Sequence, residues 1–365
     1  MIIKNDISIA KEKAALGERL SKREALLLYE DNDLLYLAKC AKAMKERKSG
    51  KKVFYIVNRH INLTNICSSN CPLCAFQCRA EDNRGYALES EDIDKILTEV
   101  KDIEGLSEIH IVSALHPDKP FEYYVDVVKQ VRKALPNINI RAFTPVEIVN
   151  FSKQSSKSID DVLKILITVG VNSLLGGGAE VFSERVRQII CPKKATADEW
   201  LYVMKTAHQL GIKTNASIMY GHIETIEERI EHLIKLRDLQ DETDGFQAFL
   251  MFPFHPANTE LGKKYNLKRV SSWEDLKMIA LSRLILDNFN HIKAFWVMLT
   301  MPIVQLSLAF GADDLDGTIG EEQIIHAAGS KEFKGITRKN LNKIIIETGY
   351  IPVECDSFYN QKRKI

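Results

Sequence analysis

HINLTNICSSNCPLCAFQC, from His60 to Cys78, joins a strand-like run to a loop holding four of the chain's seven cysteines. The opening "HINLTN" alternates apolar and polar residues with the period of two of a half-buried strand. Cys67, Cys71, Cys74 and Cys78 then follow as C-x3-C-x2-C-x3-C. Soft thiolates bunched in this way select zinc or iron–sulfur over magnesium or calcium. Structural zinc usually takes two C-x2-C knuckles a dozen or more residues apart. Here the first three cysteines sit closer together, as they do around one face of a four-iron cubane. If Cys67, Cys71 and Cys74 hold such a cluster, one iron stays open, and Cys78 as a fourth ligand would close it. Cys78 therefore reads as a bystander. A closed four-cysteine electron-transfer cluster and a zinc site, both non-catalytic, are the alternatives.

Outward from this loop the chain alternates. Short apolar or β-branched runs, "EIHIVSA", "NIRAFTP", "NSLLGGG", "KTNASIMYG", "GFQAFLMFPF", "KAFWVML" and "LSLAFGA", are separated by amphipathic stretches with helix-start signals. Those signals are Ser90-Glu91, Ser158 to Asp161, Thr225 to Glu228 and Ser272 to Asp275. Seven or eight such units without a break in composition predict an α/β protein, one parallel TIM-like (β/α) barrel over residues 51–320. Residues 1–50 read as an N-terminal helical segment. Ser21 to Glu24 forms its capping box, and a second helix runs from about Asp33 to Gly50. Residues 321–365 read as a C-terminal helical extension packed on the barrel.

Composition excludes several function classes. Fifty basic against forty-nine acidic side chains give no electrostatic case for nucleic acid or a membrane surface. The first twenty residues lack a signal-peptide core, and no apolar run approaches a membrane span. Clustered thiols that stay reduced suit the cytoplasm. The isolated Cys40, Cys191 and Cys355 read as buried neutral thiols.

Barrel enzymes carry their chemistry on the loops after their strands. The cysteine loop follows the first predicted strand, His116-Pro117 the second, Glu147 the third, Gly176-Gly177-Gly178 the fourth, Tyr220-Gly221-His222 the fifth and His255-Pro256 the sixth. Asn58, His60, Thr64 and Asn65 flank the first strand. The aspartates of "FGADDLDGT" read as an acidic turn after the last.

Cysteine loop and barrel together resemble the radical S-adenosylmethionine (SAM) superfamily. A longer likeness runs from about Arg59 to Leu261. The blocks "NRHINLTNIC", "HPDKPFEYY", "RAFTPVEI", "GGGAEVFSERVRQIICPKK", "YGHIET", "RDLQDETDGFQAF" and "FHPANTEL" resemble the aminofutalosine synthases of the futalosine route to menaquinone. The cyclase of the same pathway, cyclic dehypoxanthinyl futalosine synthase, shares the glycine, "YGH" and "NTEL" blocks and is the rival within the superfamily. The resemblance implies a [4Fe–4S] cluster on Cys67, Cys71 and Cys74, and SAM as a cosubstrate whose 5′-deoxyadenosyl radical adds to the enolpyruvyl group of 3-[(1-carboxyvinyl)oxy]benzoate. Rearrangement and decarboxylation follow. It implies SAM contacts from Phe76, Ser113, Gly177, Gly178, Glu180 and Asn215, and catalytic parts for His116, Tyr220, His222, Glu147 and Arg59. Arg141, Arg185 and Arg187 join Arg59 as candidates to receive the substrate's carboxylates. A flavodoxin or ferredoxin is the expected electron donor. Two departures from the family pattern are visible: Leu73 where an aromatic residue is common, and Ser113-Ala114 where two glycines are.

Overall fold

The computed structural model describes residues 2–320 and 322–362. Ten strands form one sheet in which all ladders are parallel: β1 Lys52–Ile56, β2 Asn58–Asn62, β3 Glu108–Val112, β4 Asn139–Ala142, β5 Ser173–Leu174, β6 Lys213–Tyr220, β7 Phe246–Pro253, β8 His291–Lys293, β9 Asp314–Gly317 and β10 Ile351–Glu354. Their order is β10-β1-β9-β8-β7-β6-β5-β4-β3-β2. Val57 alone separates β1 from β2 in the chain. One extended stretch therefore pairs through β1 with β9 and β10, and through β2 with β3, so the sheet curls round onto itself. Asn58 stitches the seam: Ile319 N donates to its Oδ1 at 2.7 Å and its own N donates to Thr318 Oγ1 at 3.1 Å.

Parallel strands need crossovers, and helices supply them on the outside of the sheet. Their starts follow side-chain chemistry. Thr144, Thr196 and Thr225 each accept from the amide three residues on, while a glutamate at that position reaches back, which satisfies two orphan amides at once. The helix Ile159–Val169 buries Val162, Leu163 and Leu166 and turns its charged residues outward. Three N-terminal helices, Ile2–Leu16, Lys22–Glu30 and Leu34–Ser49, bury Ala25, Leu28, Leu37, Cys40, Ala41 and Met44 in the same apolar core as the barrel helices. Ser21 makes the expected capping box, and Gly50, at φ +59°, ends the third helix.

Four expectations change. "LSLAFGA" is not a strand but the end of the helix Met301–Ser307 and the 3-10 turn Leu308–Phe310. The eighth barrel strand is the acidic "DLDG" of β9, so Asp314 and Asp316 lie on a buried strand and Asp313 just before it, with none in an exposed turn. The stretch after 320 holds the helices Ile324–Ala327 and Arg338–Glu347 but also contributes β10, whose backbone pairs with the free edge of β1. Glu321, at that boundary, and residues 363–365 lie outside the described residues. The helix Ser272–Ile285 is capped by Ser271, one residue earlier than predicted.

Candidate active site

The cysteine loop is tied down at both ends by backbone. Cys67 N donates to Cys78 O at 3.0 Å and Cys78 N to Asn65 O at 2.9 Å. Thr64 and Asn65 hold the returning chain: Thr64 Oγ1 donates to Tyr86 O at 2.5 Å, and Asn65 Nδ2 to Arg84 O at 2.9 Å. Cys78 is thereby buried at the base of the loop, away from the cavity that Cys67 and Cys74 line. Cys71 is buried behind them with Leu73. Burial pushes the Cys71 thiol up to about 12, against the pull of Lys194, and raises that of Cys74 as well. Buried thiols of this kind become thiolates when a metal cation supplies the missing charge. Among the described residues no three His, Cys, Asp or Glu side chains converge on a point for one ion. A polynuclear cluster, in which each iron takes its own cysteine, does not require such convergence.

Above the loop lies a cavity of about 320 Å³. The period of two along the strands decides what faces it: His60 and Asn62 from β2, His110 and Val112 from β3, Asn215, Ser217 and Met219 from β6, Leu250 and Phe252 from β7. Leu175, Phe295 and Met298 complete apolar walls. Within those walls, five buried polar atoms have no hydrogen-bond partner among the described residues: His60 Nε2, Asn62 Oδ1, Gln77 Oε1, His110 Nδ1 and Asn215 Oδ1. Such a concentration of unmet polar atoms in one apolar chamber is what a bound polar ligand resolves.

The glycine turn forms one wall. A Cβ on Gly176 would fall 2.5 Å from Asn215 O, and Gly178 takes φ +78° with Val146 Cγ2 only 2.4 Å from where its Cβ would be. The turn can thus pass between its neighbours only as backbone. Glu180 follows at φ +49°, buried, with Lys194 Nζ 2.6 Å from its Oε1. Burial alone would raise the Glu180 carboxyl; Lys194, with Arg187 and His222 behind it, holds it below the usual range. Opposite, Glu147 Oε1 accepts from Ser113 N at 2.8 Å, and its Oε2 from Thr144 N at 2.7 Å and Thr144 Oγ1 at 2.6 Å. Burial nonetheless pushes its carboxyl up to about 7.

Phe76, Ser113, Gly177, Gly178, Glu180, Asn215 and Glu147 therefore gather around one cavity with Cys67 and Cys74. Four other predicted residues do not. His116 Nδ1 accepts from the amides of Asp118 and Lys119 at 3.0 and 3.3 Å. Tyr220 is buried outside the cavity with its hydroxyl donating to Asp275 Oδ1 at 2.5 Å. His222 Nδ1 lies 2.7 Å from Glu224 Oε2. Arg59 lines a separate cleft with Arg338 and lies 4.0 Å from Glu99. His116, Tyr220 and Arg59 are engaged locally, because a strand exit also needs side chains to terminate it, whereas His222 keeps a buried Nε2 that has no hydrogen-bond partner among the described residues. The remaining arginines are likewise engaged: Arg141 with Glu108, Arg185 with Glu228, and Arg187 with the carbonyls of Ala179 and Ala195. His255 Nε2 meets Met298 O at 3.0 Å, outside this cavity. His110, Lys194, Asn62 and Gln77 were not singled out from the sequence. The alternation that puts His60 and Asn62 inside would have found His110 on the neighbouring strand, and Lys194 stands in the "CPKK" block.

Comparison with known proteins shows the family and the fold. Residues 61–236 match the radical SAM superfamily, and residues 243–364 match the CofH/MqnC C-terminal region. An aminodeoxyfutalosine synthase from Thermus thermophilus is 42% identical over 96% of this chain and 95% of its own length. A 5-amino-6-(D-ribitylamino)uracil–L-tyrosine 4-hydroxyphenyl transferase from Methanococcoides burtonii is 36% identical over 97% of this chain and 98% of its own. Among solved structures, methylornithine synthase (PylB) superposes with a TM-score of 0.73 over 94% of this chain and 97% of its own, at 19% identity, a likeness of fold.

Proposed function

Because the chain belongs to the radical SAM superfamily and is related over its full length to the aminodeoxyfutalosine synthases, we propose that it makes aminodeoxyfutalosine from SAM and 3-[(1-carboxyvinyl)oxy]benzoate in menaquinone biosynthesis. The 42% identity over 96% of the chain carries this reading. The cavity by itself would suit any radical SAM reaction on a small polar substrate. When bound, the cluster and SAM supply a carbon radical through one-electron cleavage of a C–S bond.

The chain's own residues then bind, orient and keep water out. Cys67, Cys71 and Cys74 hold the cluster, and Cys78 fixes the base of their loop. Phe76, the glycine turn and Ser113 border the SAM side of the cavity. Asn215 Oδ1 and the Glu180 carboxylate accept from its hydroxyl or amino groups. Lys194 keeps Glu180 ionised for that purpose. Glu147 acts as a positioning residue: by accepting from Ser113 and Thr144 it locks the exits of β3 and β4 together. Val112, Leu250, Phe252 and Phe295 give the aromatic ring a dry wall. His116, Tyr220, His222 and Arg59 shape the strand exits. A flavodoxin or ferredoxin in the cytoplasm delivers the electron.

The test follows the adenosyl group. Anaerobic incubation with adenine-labelled SAM, reductant and the enolpyruvyl benzoate should place label in the large product, with free 5′-deoxyadenosine only a minor leak. Label found only in 5′-deoxyadenosine would favour the cyclase. Turnover with L-tyrosine and 5-amino-6-(D-ribitylamino)uracil instead would favour the methanogen-type transferase.

A further inference from the structure

Resting on that substrate reading, the floor of the cavity raises a question of charge. The substrate carries two carboxylates, yet among the described residues lining the cavity there is no arginine and Lys194 is the single lysine. Lys194 is committed to Glu180 and lies near Cys71. The floor, one layer of side chains below Asn62 and Val112, offers two imidazoles instead. His60 and His110 are register partners on β2 and β3, stacked with centroids 4.6 Å apart and planes 24° from parallel.

His110 Nε2 bonds to Glu108 Oε1, while Glu108 Oε2 accepts from Arg141 Nε at 2.9 Å. With Glu108 ionised beside Arg141, the hydrogen of the His110–Glu108 bond sits on Nε2. His110 Nδ1 is then left without a partner, as is His60 Nε2. Five groups face His110: Glu108 on its own strand, His60 on β2, Arg141 on β4, Asp316 on β9 and, through Asp316 at 2.7 Å, Lys293 on β8. An arriving carboxylate brings a negative charge against Nδ1 and favours a proton between the two.

We propose that His60 and His110 receive the ring carboxylate of the substrate and make the site specific for a benzoate, with His110 taking up a proton at Nδ1 as it does so. The proton comes from solvent on binding and returns to it when the product leaves. His60, which burial keeps neutral, donates from Nε2 to the second carboxylate oxygen. The enolpyruvyl end is thereby left towards the cysteine loop, where the carbon–carbon bond must form.

The experiment compares two ethers on the holoenzyme: the benzoate substrate and the same compound without its ring carboxylate. The quantity read is the ratio of their kcat/KM values, which cancels any inactive fraction of a preparation. In His110→Gln, which can still donate towards Glu108 but offers no ring nitrogen to the ligand, the ratio should fall roughly tenfold to a hundredfold. His60→Gln should lower the ratio as well, and it decides the matter alone if the first variant does not fold. An unchanged ratio in the folded variants overturns the assignment. A wild type that consumes neither ether overturns the substrate reading beneath it.

Discussion

Glu108, on β3, and Glu147, just past the end of β4, are both sealed from solvent, yet the barrel holds them in opposite ways. Burial alone would raise the Glu108 carboxyl, but Arg141 and His110 hold it well below the usual range. Glu147 meets three hydrogen-bond donors but no cation in contact, and burial wins, to about 7. Around Glu108 every charged side chain faces an opposite charge: Arg141, then Lys293 between Asp314 and Asp316 at 3.3 and 2.7 Å. Tyr359 closes this end from below, donating to Asp314 Oδ2 at 2.6 Å and stacking on His291 at 3.6 Å. Around Glu147 the opposite holds, with the side-chain oxygens of Asn62, Gln77 and Asn215 left without partners. The lower half pairs its charges in holding the sheet shut and leaves the ring nitrogens of His60 and His110 open, and the upper half leaves side-chain oxygens free for a ligand.

The largest effect expected from this contrast is in the cysteine loop. Cys67→Ala, Cys71→Ala or Cys74→Ala should each abolish SAM cleavage, whereas Cys78→Ala should keep a four-iron cluster and most turnover. Iron content and 5′-deoxyadenosine release check both. Loss of the cluster in Cys78→Ala would put that cysteine among the ligands. Next comes the outer side of β9, where Asp313 accepts from Arg283 Nη2 at 2.7 Å and from Ile292 N at 2.9 Å. Asp313→Asn strands a fully buried guanidinium, and urea unfolding should show a loss of about 3–5 kcal/mol with unchanged turnover per folded molecule.

Glu147 sharpens the comparison through pH. Its carboxyl is raised from the usual 4.5 to about 7 in the folded state, so the protonated form stabilises the fold. That contribution is complete below about pH 4.5 and is lost as pH rises through about 7. Relative to Glu147→Gln, the wild type should lose about 3 kcal/mol between those limits, seen in urea melts at either end. A flat difference would mean that the donors from Ser113 and Thr144 outweigh burial. Smallest is Glu180→Gln, which should weaken SAM binding roughly tenfold to a hundredfold, or about 1.5–3 kcal/mol, with iron content intact.

Much of this was legible in the chain because local rules and the fold agree. Capping residues at Ser21, Ser158 and Thr225 mark helix starts, and the cysteine and glycine blocks sit on strand exits. Two kinds of signal failed. β9, reading "DLDG", is hidden because each of its acids is neutralised by a partner far away in sequence, so burial comes from Lys293 and not from apolar character. The histidines of strand exits, His116 and His222, do not line the cavity for the converse reason: neighbouring amides and Glu224 take up their Nδ1 nitrogens. His110 escaped notice inside "EIHIV", where only the pairing with His60 reveals which way it points.

The seam at Val57 has a consequence for synthesis. Both edges of β1 are covered by strands from the other end of the chain: Phe54 pairs with Asp314 and Val353, and the Cys355 thiol reaches Tyr55 O across 300 residues of sequence. At about 5–20 residues per second, a ribosome needs roughly 15 to 60 seconds to span that interval. For most of it, until β9 is made, Lys52–Ile56 has emerged with neither strand partner available. The nascent chain therefore depends on something else, a chaperone or its own N-terminal helices, to shield "VFYI" until the last strand arrives.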